Sequence, residues 1–118
     1  MCERLSARLN QFIRQGLVSG CVWGLRTAAG DWSVTESNVN STFEVMPFWS
    51  SEYEAEKVCH QEWRLYSATP IDLEEFLEDW LPGMDQDYLQ VGVNWCLDLQ
   101  GDEIAPLDLM ELFASKLD

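Results

Sequence analysis

The stretch that decides the fold runs from residue 66 to residue 99 and reads YSATPIDLEEFLEDWLPGMDQDYLQVGVNWCLDL. Its first six residues, 66–71, have the composition of a short strand. Residues 88–99 form a longer apolar run that is typical of a buried strand. Between them, residues 72–81 carry apolar side chains at helical spacing. The stretch therefore predicts strand, helix and strand in that order.

The predicted helix at residues 72–81 has clear ends and two different faces. Asp72, with Glu75 three residues later, has N-cap spacing, and Pro82-Gly83 predicts the stop. The apolar stripe consists of Leu73, Phe76, Leu77, Trp80 and Leu81. The opposite face carries four acids, namely Glu74, Glu75, Glu78 and Asp79. One face should therefore pack on a core and the other should meet solvent.

The flanking sequence supplies further elements of both kinds. An amphipathic helix is predicted over residues 3–15, a hairpin over residues 21–36 and an extended segment over residues 43–49. A helix opens at Ser51, with Glu54 at capping-box spacing, and is predicted to run to Arg64. The closing helix carries Leu109, Leu112, Phe113 and Leu117 at helical spacing. Helices and strands thus share the chain.

Successive side chains of a strand point to opposite faces, which assigns each residue of the predicted hairpin to one face or the other. Trp23 and Leu25 fall on one face, Arg26 falls on the other, and Gly30 offers the turn. Trp32 returns on the face of Trp23, so the two indole rings are expected to stack across the strands.

The length and composition of the chain are typical of a domain with a single hydrophobic core. The chain has 118 residues, of which 47% are hydrophobic, and no low-complexity run or long linker divides it. We therefore expect a single compact domain over residues 1–118. Its class is predicted to be α+β, with a mainly antiparallel sheet of four or five strands covered by helices.

Charge is the most uneven property of the sequence. The formal net charge is −14; residues 72–118 carry thirteen acids and one lysine, whereas residues 1–30 carry four arginines and one glutamate. Such a surface repels phosphates and anionic lipids, so binding to nucleic acid or membrane is disfavoured and a basic protein is the favoured partner. The N-terminal arginines precede no long apolar run, so we expect no secretory signal and a cytoplasmic protein.

The cysteines and the only histidine do not predict a reactive centre. The four cysteines stand far apart in sequence and are expected to be reduced thiols, at least three of them core filler. Cys59 and His60 are helical neighbours that point about 100° apart, which is poor geometry for a nucleophile pair. Glu56 and His60 supply two ligands where zinc takes four, so no metal site is predicted. The absence of a phosphate loop or similar motif predicts no cofactor.

Glu62 breaks the apolar arc of the predicted helix over residues 51–64. Either its carboxylate is buried against a donor, for which Arg26 is a candidate, or the helix rotates enough to let it reach water. A buried Glu62 would mark the surroundings of two tryptophans as a place for a small ligand. The candidate ligand pocket therefore consists of Trp49, Glu62, Trp63 and Arg26.

Five patterns follow one another along the chain: VWGLRTAAGDW, FEVMPFWSSEYEAEKVC, the Glu62-Trp63 pair, PIDLEEFLEDWLPGMDQD and LQVGVNW. Together they resemble the DUF2750 family, small bacterial proteins of unknown function. The resemblance spans roughly residues 9–117 and rests on the order of these patterns. It implies a stand-alone cytoplasmic α+β domain of a bacterium, and it assigns no catalytic residue.

Two functions fit the sequence. The leading prediction is a non-enzymatic protein-binding or adaptor domain that uses its acidic surface. Glu78 and Asp79 support it, because negative charge in the last turn of a helix is unfavourable and needs another reason to be there. The alternative is a small-ligand binder or minor enzyme with a pocket near Trp49, Glu62 and Trp63, in which Glu62 would be the acid or base.

Overall fold

A computed structural model of the protein describes residues 5–36, 43–59, 64–95 and 102–117. The helices are α1 (Leu5–Ser19), α2 (Glu52–Lys57), α3 (Leu73–Glu75), α4 (Leu81–Gln86) and α5 (Pro106–Leu117), and a π-helix (Phe76–Trp80) joins α3 to α4. The strands are β1 (Cys21–Thr27), β2 (Thr35–Glu36), β3 (Glu44–Phe48), β4 (Tyr66–Asp72), β5 (Leu89–Val93) and β6 (Asp102–Ile104). These elements confirm the α+β class.

The strands form two sheets instead of one. β1 and β4 pair antiparallel along all seven residues of each strand. The second sheet is built on β3, β5 and β6, with the two-residue β2 at its β3 edge. Two backbone hydrogen bonds between Trp23 and Trp49, of 2.7 and 2.8 Å, join the sheets. The expectation of a single sheet of four or five strands is therefore wrong.

The central pair of the second sheet, β3 and β5, runs parallel, whereas its other neighbours are antiparallel. A parallel pair needs a long crossover connection. The crossover between β3 and β5 contains α2, β4, α3, the π-helix and α4. Apolar strand patterns carry no information on direction, so the sequence alone did not reveal this pairing.

The hairpin after β1 exists only in part. The chain turns back at Gly30, but the return pairs with β1 through a single bridge, between Arg26 and Trp32. Directly opposed residues of antiparallel strands share a face, so Trp32 lies on the face of Arg26 and not on that of Trp23. Trp32 packs edge-to-face on Trp80, with ring centroids 4.8 Å apart. The expected stacking of Trp23 on Trp32 is wrong because the register differs by one residue.

The helix after β4 starts as predicted and ends later. The side chain of Asp72 accepts a hydrogen bond from the Glu74 N–H at 3.2 Å, which confirms the N-cap. The predicted stop at Pro82 is wrong, because the helix continues through it into α4. The Leu81 N–H donates to the Phe76 carbonyl, five residues back. This wider turn relieves the contact that the proline ring makes with the preceding turn of a regular α-helix.

The other two predicted helices also differ in length. α1 extends to Ser19 instead of residue 15, because Gly16 is buried inside it, and Gly20 ends it at φ +77°. α2 starts at the predicted Ser51 cap but ends at Lys57 instead of Arg64. The later part of the predicted helix, residues 60–63, lies outside the described residues.

Two apolar clusters form the core. In the larger one the ring of Phe12 packs edge-to-face on Phe76 and Phe113, at centroid distances of 6.4 and 6.1 Å. This cluster joins α1, the π-helix and α5. The smaller cluster contains Leu25, Val45, Trp49, Ala55, Val58 and Trp95, and it lies where α2 meets the two sheets.

Gly92 is the fourth of the five residues of β5, and the structure leaves no room for a side chain at this position. A Cβ atom at this position would lie 2.7 Å from Cε2 of Trp95 and 2.8 Å from its Nε1. Trp95 is buried and rigid, so Gly92→Ala is expected to lower the free energy of unfolding by about 1–3 kcal/mol. Urea denaturation checks this, with Gly83→Ala as the control, because a Cβ there meets no atom within 4 Å. Equal losses in both variants would contradict the steric argument.

Candidate functional site

The carboxyl ends of the parallel strands β3 and β5 bring polar side chains together. The last pair of the ladder is Phe48 opposite Val93, after which the chains continue into Ser50 and Asn94. The Asn94 N–H donates to the Phe48 carbonyl at 2.9 Å, and Asn94 adopts a left-handed backbone with φ +46°. Crevices outside the carboxyl ends of parallel strands are common places for ligands.

A chain of hydrogen bonds connects three side chains at this point. The Ser50 N–H donates to Asn94 Oδ1 at 2.9 Å, and Asn94 Nδ2 donates to Ser50 Oγ at 3.1 Å. The Ser50 hydroxyl lies 2.5 Å from Gln15 Oε1 and 3.4 Å from Asn94 Oδ1, so its single proton goes to Gln15. Ser50 and Asn94 are both buried. The order of donors fixes how the Gln15 amide is oriented.

This chain opens onto a surface groove of about 500 Å³, within the range of about 300–1,000 Å³ for ligand sites. We call it the binding groove, and its walls come from the end of α1, the start of β1 and the segment that opens α2. It is lined by Arg14, Gln15, Val18, Ser19, Cys21, Trp23, Ser50, Ser51 and Glu52. This site was not predicted from the sequence. A signal existed, because a polar residue follows the apolar run of each parallel strand.

The binding groove carries two opposite charges. Arg14 comes from α1 and Glu52 from the first turn of α2, and both are exposed. Neither forms an ion pair within the described part of the chain. Both charges therefore remain free to meet a ligand.

The predicted ligand pocket is described only in part. Trp49 is fully buried, and its indole N–H donates to the Trp95 carbonyl at 3.0 Å. Arg26 is exposed and stacks over Trp32, with its guanidinium carbon 5.3 Å from the ring centroid. Glu62 and Trp63 lie outside the described residues, as does His60. The pocket around these residues stays a prediction.

The four acids of the predicted recognition face, Glu74, Glu75, Glu78 and Asp79, are all exposed. We call this set the acidic face. In the described ranges none of these carboxylates forms an ion pair. Glu78 and Asp79 lie in the π-helix, a rare element that occurs frequently at functional sites.

Cys59 is a partly buried thiol beside α2. Burial raises its pKa above the ordinary value of 9.0, the negative charge of Glu56 raises it further, and a hydrogen bond with the Ala68 backbone lowers it. The Sγ atom donates to the Ala55 carbonyl at 3.5 Å. A thiol with a raised pKa holds little thiolate at neutral pH, which makes it a poor nucleophile. Cys21 and Cys59 are free thiols, whereas Cys2 and Cys96 lie outside the described residues.

The raised pKa of Cys59 gives a pH dependence. As pH rises, the thiol of the unfolded chain loses its proton first, so the unfolded state is favoured and stability falls above about pH 9. We expect the wild type to lose more stability than Cys59→Ala between pH 7 and pH 10 in urea denaturation. The two proteins differ only at this thiol, so a difference between their pH profiles reports on it. Parallel pH profiles would contradict the assignment.

Within residues 5–36, 43–59, 64–95 and 102–117, no three His, Cys, Asp or Glu side chains are grouped as metal ligands. No helix in these ranges is both long enough and apolar enough to span a membrane.

Fold and groove together define a small α+β domain with a polar groove at the carboxyl ends of two parallel strands. The family model described as "Protein of unknown function (DUF2750)" matches residues 9–113, and the chain belongs to this family. This confirms the resemblance drawn from the sequence patterns. No curated protein and no solved structure showed significant similarity to the chain.

Proposed function

We propose that the domain is a non-enzymatic protein-binding module whose acidic face recognises a basic protein partner. The observation that carries this proposal is the exposure of Glu74, Glu75, Glu78 and Asp79 on one helical segment. Carboxylates that have no cationic partner among the described residues can pair with lysine and arginine side chains of another protein. Charge complementarity of this kind guides association and sets specificity.

The placement of these acids supports recognition over helix stability. Negative charge is favourable in the first turn, where Glu74 and Glu75 lie. Glu78 and Asp79 lie in the middle of the helical segment and not, as the sequence predicted, in its last turn, because the helix continues to Gln86. Glu78 follows Glu74 by four residues, a spacing at which like charges repel by a few tenths of a kcal/mol. The pair therefore costs stability, and no cation of the described ranges forms an ion pair with it. A basic partner would supply the missing charge.

The double variant Glu78→Lys with Asp79→Lys tests the proposal. We expect it to keep the fold and to bind a deca-lysine peptide about tenfold more weakly than the wild type, since two attractive contacts become repulsive. Calorimetry measures the affinity, and the wild-type affinity should fall as added salt screens the charges.

The matched control is Asp85→Lys with Asp87→Lys, because both acids are exposed and lie beyond the acidic face. The two double variants change the net charge by the same amount. A local recognition surface predicts a larger loss for Glu78 and Asp79. Equal losses would mean that only the total charge matters, and the proposal would then fail.

A further inference from the structure

We propose that the binding groove holds a free α-amino acid with an apolar side chain. Arg14 binds its carboxylate, Glu52 binds its ammonium group, and Val18 and Trp23 contact its side chain. This site is separate from the acidic face, so the inference goes beyond the proposed function and does not depend on it.

The charges of the binding groove indicate a ligand with two opposite charges. Arg14 and Glu52 line the same groove without pairing with a charged group in the described residues. A purely anionic ligand would meet repulsion from Glu52, and a purely cationic one would meet repulsion from Arg14. An uncharged ligand would cover both charges without giving them a partner. A zwitterion satisfies both.

The hydrogen-bond chain adds a donor beside the arginine. Gln15 receives the Ser50 hydroxyl proton on its Oε1 atom at 2.5 Å, which orients its NH2 group as a donor. Within the described residues, that NH2 group donates to no other group of the protein. Gln15 follows Arg14 directly, and both line the binding groove. A carboxylate accepts two such bonds readily, and those from a guanidinium are the stronger.

The apolar part of the ligand meets an apolar wall. Val18 follows Arg14 by four residues and therefore lies on the same side of α1. Its side chain is 84% exposed and lines the binding groove. Trp23 is partly exposed in the same groove, where its indole ring offers a large flat surface. An apolar side chain that covers both residues removes apolar surface from water. Glycine, which has no side chain, gains none of this.

The experiment is a calorimetric titration of the protein with L-leucine and L-phenylalanine. The groove is open, so we expect a dissociation constant on the order of 1 mM, and the titration extends beyond this. Three analogues serve as ligand controls: N-acetyl-leucine lacks the ammonium group, leucinamide lacks the carboxylate, and glycine lacks the apolar side chain. Each should bind about tenfold more weakly than leucine.

Two charge-removing variants assign the contacts. Arg14→Gln and Glu52→Gln should each weaken leucine binding about tenfold. In Arg14→Gln, the difference in affinity between leucine and leucinamide should shrink, because the carboxylate keeps only the weaker, uncharged donor of Gln15. The matched controls, Arg26→Gln and Glu56→Gln, remove exposed charges outside the groove and should leave the affinity unchanged.

The outcomes separate cleanly. Leucine binding that depends on Arg14 and Glu52, and on both ligand charges, supports the inference. Failure of both amino acids to bind the folded wild type overturns the inference. It is also overturned if the wild type binds leucinamide as tightly as it binds leucine. Thermal melting of each variant confirms that the fold is intact. Neither result bears on the deca-lysine experiment, which probes a different surface.

Discussion

Trp49→Ala is expected to lower the free energy of unfolding by about 3–5 kcal/mol. Trp49 is fully buried, and its side chain fills the smaller of the two apolar clusters. Its backbone forms the two hydrogen bonds to Trp23 that join the sheets, and its indole N–H donates to the Trp95 carbonyl at 3.0 Å. The alanine variant leaves a large cavity at the point where both sheets meet. Urea denaturation of the two proteins measures the loss.

Trp49→Phe separates the two contributions of this side chain. The phenyl ring retains much of the buried surface but leaves the Trp95 carbonyl without its indole donor, at a cost of about 1–3 kcal/mol. We therefore expect a loss clearly smaller than that of Trp49→Ala. If both variants lose the same free energy, the indole hydrogen bond and not the buried ring dominates, and the cavity argument is wrong.

Asn94→Ala is expected to lower the free energy of unfolding by about 2–4 kcal/mol, because it removes buried hydrogen bonds and strains the backbone. The Ser50 N–H loses its acceptor at a buried position, and Ser50 Oγ loses the donor that holds its proton toward Gln15. Alanine also tolerates the backbone angle of φ +46° less well than asparagine does. Urea denaturation measures the loss. The same variant should also lower the affinity of the binding groove for any ligand.

Asn94→Gly is the control for the backbone term. Glycine adopts a positive φ without strain but supplies no side-chain hydrogen bond. We expect it to be more stable than Asn94→Ala by about 1 kcal/mol, which is the cost of the left-handed conformation. A glycine variant no more stable than alanine would show that the backbone angle contributes nothing here.

Local signals in the sequence predicted individual elements well. The Asp72 cap and the apolar stripe around Phe76 located the start and the buried face of a helix, and Ser51 located another start. They failed where a distant residue decides the outcome. Pro82 ends an isolated helix, but here the Leu81 hydrogen bond to Phe76 lets the chain continue. Such a π-turn depends on packing and has no local pattern.

Pairing was predicted less well than the elements themselves. β3 and β5 read as apolar strands, but their parallel direction follows from a crossover and not from their own residues. The binding groove was missed for a related reason: Ser50 and Asn94 meet only through that pairing, and Gln15 reaches Ser50 only because α1 packs beside it. The exposure of the four acids on one side of the helix, by contrast, could be predicted from helical periodicity alone, whereas their role in recognition stays a prediction.

The edge-to-face packing of Phe12 on Phe113 links α1 to α5, which are far apart in sequence. During synthesis α1 leaves the ribosome before α5, so the apolar side of α1 lacks this partner until α5 has been made. β1 and β3 likewise lack their partners β4 and β5 when they emerge. The nascent chain therefore exposes apolar residues of α1 and unpaired strand edges until these later elements are made, and such surfaces favour aggregation in that interval.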